Sequence, residues 1–497
     1  MIKIFCDKKE KDLKNFWGHI VFHPTNAIED DWGKLYLDKI ADDGAAKTVR
    51  IYAMFEECVT LDENGEMVFD FSLNDKRIDY LVSKGFDILL VYAFIPPWLS
   101  AEQTDALKKP RYKGSIFYRS YPSDYSKWQE ICRVYTEHLV ERYGEETVAK
   151  WKIHCYNEPD KIHFFYATAP SFKARAEEFF KLYCGFVNGI TAVSDKIELG
   201  ACGFADAYEF LEYFLKLVKQ SGLKFDFLSC HPYGTTHSLV NNKTRPLNAY
   251  DPYTYIYTVK SIAELCGFKN IPIVCDEWGA LEEGYYGMEQ CPAYEMRENE
   301  LYAAYFAKLL TYLDESAVNV EKLMICLSGQ HDLKEDFAGH RNFFSKSFYP
   351  KPIYNAHVLA NKLGDKKLYH YADYSEERIS VLPSKSTTDG HISVLICYAD
   401  PFFVSSLPDI STEIRFEGLD GAYRVQKQVI DRTHANAYTK FVELGRPQNP
   451  SEEIKQIIRD AGTLKAENIG TVTPDNNTIL LEMENNAVVL LELYPEM

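Results

Sequence analysis

Short, almost wholly apolar runs alternate with longer amphipathic stretches over the first two thirds of the chain. Eight runs read as strands: Phe16–Ile20, Val49–Phe55, Ile88–Phe94, Ile153–Tyr156, Ile197–Ala201, Phe225–Cys230, Ile273–Asp276 and Leu323–Leu327. Runs such as DILLVYAF and IPIVCDEW are apolar at nearly every position, which suits a parallel sheet covered on both faces. Helical periodicity fills the intervals, at Leu73–Lys84, Asp124–Tyr143, Ser171–Val193, Tyr208–Gln220, Thr254–Cys266, Glu300–Leu313 and Pro352–Leu363. In Asp124–Tyr143, Trp128, Ile131, Tyr135 and Leu139 share one stripe, PSDYS supplies start signals, and Gly144 marks the stop. Eight strands, each followed by a helix, predict a closed (β/α)8 TIM barrel over residues 13–363. An open doubly wound sheet is the alternative. The lack of a G-x-G-x-x-G turn after the first strand weighs against its dinucleotide-binding form.

The pattern changes after Gly364. RISVLPS, HISVLICYAD, STEIRFEGL, YRVQKQVID, NTILLEMEN and NAVVLLEL are short β-rich segments separated by Gly, Asp, Asn or Pro. They predict a C-terminal antiparallel β-sandwich over residues 364–497, interrupted by one helix at Pro450–Asp460. The opening run Ile2–Cys6 precedes the barrel, and residues 1–12 are expected to join the sandwich.

Composition narrows the function classes. The 497 residues carry a net charge of −18 with no basic run, so nucleic acid and anionic membrane surfaces are poor partners. No stretch approaches 18 consecutive apolar residues, and charges begin at Lys3, which argues against a membrane span and a secretory signal. Twelve cysteines without a C-x-x-C pair read as reduced, buried thiols, and a cytoplasmic location is expected. The oligomeric state, including a homo-oligomer, stays open.

Catalytic groups on a barrel gather at the C-terminal ends of its strands. The fourth predicted strand ends in Cys155-Tyr156-Asn157-Glu158-Pro159 and the seventh in Cys275-Asp276-Glu277-Trp278-Gly279. Strands four and seven face one another across a closed barrel, so Glu158 and Glu277 can flank one substrate bond. Two such carboxyls are what glycoside hydrolysis needs: one protonates the departing oxygen while the other attacks the anomeric carbon or activates water. Strand alternation alone puts Asn157 and Glu158 on opposite faces.

The NEP after strand four and the Glu closing strand seven resemble the signature of clan A retaining glycosidases, and the chain most resembles glycoside hydrolase family 39, which holds β-xylosidases and α-L-iduronidases. PSDYSKWQEICRVYTEHLVERYGEETVAKWKIHCYNEP and IDRTHANAYTKFVELGRPQNPSEEIKQIIRDAG carry the resemblance beyond the glutamates, and it extends over residues 15–495. It implies a retaining, two-step hydrolysis of terminal bonds in oligosaccharides or small glycosides, with no metal or other cofactor. Glu158 is then the general acid/base and Glu277 the nucleophile. Asn157 would bond the sugar 2-OH, Arg50 would orient the nucleophile, and His231 and Tyr233 in CHPYG would touch it. The chain departs from the pattern at Asp276-Glu277-Trp278, where the family often has T-E-Y, and at Arg50-Ile51-Tyr52-Ala53, where xylosidases have R-G-H-G. Cys326-Leu327-Ser328-Gly329-Gln330-His331 also lacks the Trp that many clan members place under the sugar. These positions line the substrate, so they leave the sugar open. Trp98 and Trp278 are the candidate stacking faces, and His19 and His23 are candidates to line the pocket.

Three other readings are set beside this one. A non-catalytic sugar-binding protein on the same fold would not need both glutamates and Asn157. A transglycosylase would use the same residues with a sugar acceptor. Cys155, Cys202, Cys230, Cys275 and Cys326 could form a metal cluster with His231, but no zinc-ligand spacing appears and buried free thiols are favoured.

Overall fold

The computed structural model describes the chain except residues 23–24, 167–170, 236, 239–242, 245–246, 283, 285, 328–334, 373–376 and 497. Eight parallel strands form the barrel: β1 (His19–Phe22), β2 (Thr48–Tyr52), β3 (Asp87–Tyr92), β4 (Lys152–Cys155), β5 (Glu198–Phe204), β6 (Phe227–Cys230), β7 (Ile273–Leu281) and β8 (Val320–Leu327). They pair in chain order. Met324 opposite His19 joins β8 to β1, and Leu228 opposite Ile273 joins β6 to β7, which closes the ring. The near-continuous apolar runs are explained by this geometry. Residues such as Leu89, Leu90 and Val91 of β3 are buried whichever way they point, toward the barrel axis or toward the helices.

The helices lie where periodicity places them. Tyr125–Tyr143 begins at Asp124, whose side chain accepts from the N–H groups of Ser126 and Lys127, and ends at Gly144 with φ of 82°. That pair satisfies donors at one end and supplies the left-handed residue that stops the helix at the other. The helix Asp31–Asp42 after β1 was not predicted from sequence. Its start, at Asp30, lacks a side-chain cap, and Trp32 and Leu35 blur its stripe.

A nine-stranded, mostly antiparallel sheet forms the second unit. Ile2–Asp12 belongs to it, antiparallel to Lys366–Ala372 and parallel to Ile410–Glu417. Its alternating inward residues make a separate core around Ile4, Val394, Phe416 and Leu491. Two helices, Ala437–Glu443 and Glu452–Gly462, interrupt it where one was expected. They pack on Phe337 and Tyr349 of the segment after β8. The barrel helix Glu300–Glu315 ties the units together. Lys308 Nζ donates to the carbonyls of Glu377 and Arg378, and Asp314 pairs with Lys367 at 2.7 Å and Lys11 at 3.0 Å.

Candidate active site

The chain leaves β4 through Tyr156, Asn157 and Glu158. Tyr156 and Glu158 have φ of 64° and 46°, the left-handed region that costs a non-glycine residue about 1 kcal/mol or more. The Glu158 N–H spans this turn, donating to the carbonyls of Cys202 at 3.1 Å and Gly203 at 3.2 Å on β5. The two left-handed residues break the alternation of the strand, so Asn157 and Glu158 both reach the barrel mouth.

β7 breaks alternation by another device. Its pairing with β8 shifts register between Cys275 and Trp278. Asp276 and Glu277, though consecutive, therefore both reach the Arg50 guanidinium: Nε lies 2.9 Å from Asp276 Oδ2 and Nη1 lies 3.0 Å from Glu277 Oε1. Arg50 Nη2 donates to Asn157 Oδ1 at 2.7 Å, and the Tyr52 hydroxyl donates to the same oxygen at 3.0 Å. One fully buried side chain on β2 thus fixes both predicted strand ends.

His231 and Tyr233 complete the cluster from the end of β6. His231 Nδ1 is 2.7 Å from Glu158 Oε1, and the Tyr233 hydroxyl donates to Glu277 Oε2 at 2.8 Å. Single oxygens of Glu158 and Glu277, together with a His231 nitrogen, lie within 4.8 Å of one another. Glu158 and Glu277 remain partly open, with side chains 16% and 13% exposed. Asp276 is closed off beneath them. Burial alone would raise its carboxyl, but Arg50, His231 and His154 outweigh burial and hold it well below the usual carboxylate range. For His231, burial works against the charge. The Glu277 and Asp276 carboxylates prevail and hold it well above the ordinary histidine value. Burial pushes His154 down, and its Nε2 lies 3.1 Å from Asp276 Oδ2.

The other predicted site residues fall elsewhere. Trp278 points away from Glu277, is 0% exposed, and lies against Phe306 with ring centroids 5.6 Å apart, so it offers no face to a sugar. The shifted register that turns Asp276 and Glu277 inward leaves Trp278 facing the helices. Trp98 is half-buried on a short turn after β3, where Nε1 donates to the Val59 carbonyl and Lys127 Nζ lies 5.5 Å over the ring. These contacts tie it to Val59 and Lys127, and none joins it to either glutamate. His23 lies outside the described residues. His19 is buried in the first residue of β1, at the opposite end of the strands from the glutamates. Reading the residues singly missed Asp276, His154 and Tyr52 as partners, as well as Cys326 and Arg341. The signal available was a polar residue inside an otherwise apolar strand, as in WKIHC and PIVCDE.

Glu158, His231 and Glu277 are, among the described residues, the group of donors close enough to hold a metal ion. The five barrel cysteines are not part of it. Arg50 and Tyr233 donate to Glu277 and His231 contacts Glu158, so the arrangement is that of a hydrogen-bonded carboxylate pair. A cavity of about 370 Å³ opens beside Glu158 and His231, walled by Asp206, Tyr208, Asp251, Tyr255 and Glu282. A larger groove of about 630 Å³ lies on the second unit and contains neither glutamate.

Asp276→Asn should destabilise the protein by about 2–4 kcal/mol, because it removes the fully buried carboxylate facing Arg50, His154 and His231 and leaves Arg50 to pair with the partly open Glu277. The wild-type carboxylate contributes stability at every pH above its unfolded value, and the contribution is lost as pH falls through the lowered folded value. The gap between wild type and variant should therefore persist across neutral pH and close only in acid. Denaturant midpoints measured from acid to neutral pH check this, and a gap that widens in acid contradicts it.

The glycosyl hydrolases family 39 model matches residues 1–476. A β-xylosidase from Caldicellulosiruptor saccharolyticus is 23% identical over 496 residues, covering 97% of this chain and 95% of that protein. The crystal structure of a monomeric β-xylosidase from Caulobacter crescentus superposes with a TM-score of 0.85 at 19% identity, covering 100% of this chain and 99% of the other. A bacterial orthologue of human α-L-iduronidase superposes with a TM-score of 0.79 at 14% identity, covering 100% and 84%. No helix among the described residues is long and apolar enough to cross a membrane. A closed barrel carrying two facing strand-end glutamates, matched by one family model over nearly its whole length, belongs to glycosyl hydrolases family 39.

Proposed function

We propose that this glycosidase removes terminal sugars from short oligosaccharides or small glycosides by double displacement, with Glu277 as nucleophile and Glu158 as acid/base. The observation that carries the reading is that one oxygen of each carboxylate comes within 4.8 Å of the other, with His231 shared between them. Retaining enzymes hold their carboxyl groups about 5–5.5 Å apart, whereas inverting enzymes need roughly 6.5–9.5 Å to admit water.

In the first step Glu277 attacks the anomeric carbon and forms a glycosyl ester, while Glu158 protonates the departing oxygen. The His231–Glu158 pair can hold that proton between Nδ1 and Oε1, 2.7 Å apart. In the second step Glu158 takes a proton from water, which attacks the ester and frees Glu277. Asn157 supports this assignment through its amide orientation. Its Oδ1 accepts from Arg50 and Tyr52, which leaves Nδ2 to donate to a sugar hydroxyl. No step calls on a cofactor.

The leaving group belongs on the Glu158 side, where the 370 Å³ cavity opens and Glu277 is not part of the wall. The names of the relatives make a β-xyloside the first substrate to try, followed by an α-L-iduronide. An aryl glycoside panel, with the anomer of the first-formed sugar read by NMR, tests the reading. Release of the retained anomer supports it, and an inverted product or no turnover on any member defeats it. Asp206, Asp251 and Glu282 line the cavity, and Lys161 pairs with Asp206 at 2.8 Å and Glu282 at 3.5 Å, so three carboxylates face one ammonium there. A carboxyphenyl glycoside should therefore show kcat/KM about fivefold below that of a neutral aryl glycoside of equal leaving ability, with the difference shrinking in high salt.

A further inference from the structure

Cys326 sits near the end of β8, where its strand neighbour is Val21 of β1, and it is 1% exposed. Its Sγ lies 3.5 Å from Glu277 Oε2, the same oxygen that receives the Tyr233 hydroxyl at 2.8 Å. Arg50 serves the other oxygen at 3.0 Å. Among its donors, Arg50 therefore serves Oε1, while Tyr233 and Cys326, of unequal strength, meet at Oε2.

We propose that Cys326 is a positioning residue for the nucleophile: its thiol donates S–H to Glu277 Oε2 alongside Tyr233, fixing the carboxylate rotamer and lowering its basicity. The inference rests on the reading of Glu277 as nucleophile. The thiol keeps its proton at any working pH. Burial pushes it up to about 12 despite the opposing charge of Arg341, and the Glu277 charge adds to the effect. A protonated thiol can donate but cannot compete as a nucleophile. A sulfur donor is also weak, so Cys326 holds the carboxylate while withdrawing less charge than a hydroxyl would.

Several other groups set the ionisation of Glu277. Arg50 and Tyr52 face it from β2, and Glu158 from the end of β4. His231 and Tyr233 approach from the end of β6, and Arg341, whose guanidinium lies 4.9 Å over the Tyr233 ring, from the segment after β8. All of these remain in a Cys326 variant, and Tyr233, which also hydrogen-bonds Cys326, keeps its own bond to Glu277 Oε2, so a change in the acid limb of kcat/KM reports the thiol, acting on Glu277 directly or through Tyr233.

The test compares kcat/KM against pH for wild type, Cys326→Ala and Cys326→Ser, with thermal unfolding of each recorded. Losing a donor to the ionised carboxylate should move the acid limb of Cys326→Ala upward by about half a pH unit. The serine hydroxyl should keep the limb at or below its wild-type position. A merely space-filling role would lower activity of the alanine variant equally at every pH and leave the limb in place, which overturns the proposal. A serine limb displaced upward overturns it as well, and this holds even if the alanine variant fails to fold. Glu277→Gly separates the two levels. If it keeps wild-type turnover, the nucleophile reading itself falls. If it is inactive and the alanine limb has not moved, only the role of the thiol falls.

Discussion

Glu277→Gly should fold and lose hydrolysis by on the order of 10⁴- to 10⁶-fold, since it removes the assigned nucleophile while Glu158 serves as acid/base and Asp276 is buried against Arg50. The side chain is only partly buried, and its partners Arg50 and Tyr233 keep Asp276, Asn157 and Arg341 beside them. Truncation therefore opens a space at the mouth of the barrel and leaves the buried network beneath intact. Azide can enter that space and attack the anomeric carbon directly. With an activated aryl glycoside, the variant should regain turnover and yield the glycosyl azide of inverted configuration, because one displacement replaces two. Wild-type hydrolysis by the variant, or an azide product of retained configuration, contradicts the assignment.

Glu158→Ala should show a different dependence on the leaving group. A substrate whose leaving group needs a proton should lose about 10²- to 10⁴-fold in kcat/KM. A dinitrophenyl glycoside needs no such help, so its kcat/KM should fall far less. Its kcat should still drop, because water attacks the ester without a base and the glycosyl-enzyme accumulates. Azide, which needs no base, should restore kcat and give the retained glycosyl azide. The two variants thus lead to opposite stereochemistry with one nucleophile, which distinguishes their roles even if both are poorly active. An equal loss on all leaving groups would mean that Glu158 acts through binding or folding instead.

Much of the architecture was legible because the barrel imposes a simple demand on sequence. Strands covered on both faces must be apolar throughout, as in DILLVYAF, and the connecting helices must carry one apolar stripe, as in Asp124–Tyr143. Boundaries were less legible. β5 runs on to Phe204 and β7 to Leu281, beyond the expected ends, because pairing with neighbours extends a strand past its most apolar stretch. The two short helices at Ala437–Glu443 and Glu452–Gly462 read as one, since the first has only seven residues and depends on packing against Phe337.

The sequence by itself determined the alternating βα plan, the β-rich second unit, the family likeness, and the two glutamates at strand ends. Each of these is written in local periodicity or in a contiguous motif. Beyond Asn157, Arg50, His231 and Tyr233, which the family likeness implied, the tertiary structure alone decided which neighbours meet those glutamates and how. Period-two alternation would separate Asn157 from Glu158 and Asp276 from Glu277. Left-handed turns at Tyr156 and Glu158, and a register shift on β7, bring each pair to one side. The same shift buries Trp278 and frees it from the stacking role its position in the chain suggested. Arg50, Tyr233 and Cys326 meet Glu277 from three different strands or strand ends. Contacts of that kind follow from ring closure, and no spacing along the chain encodes them.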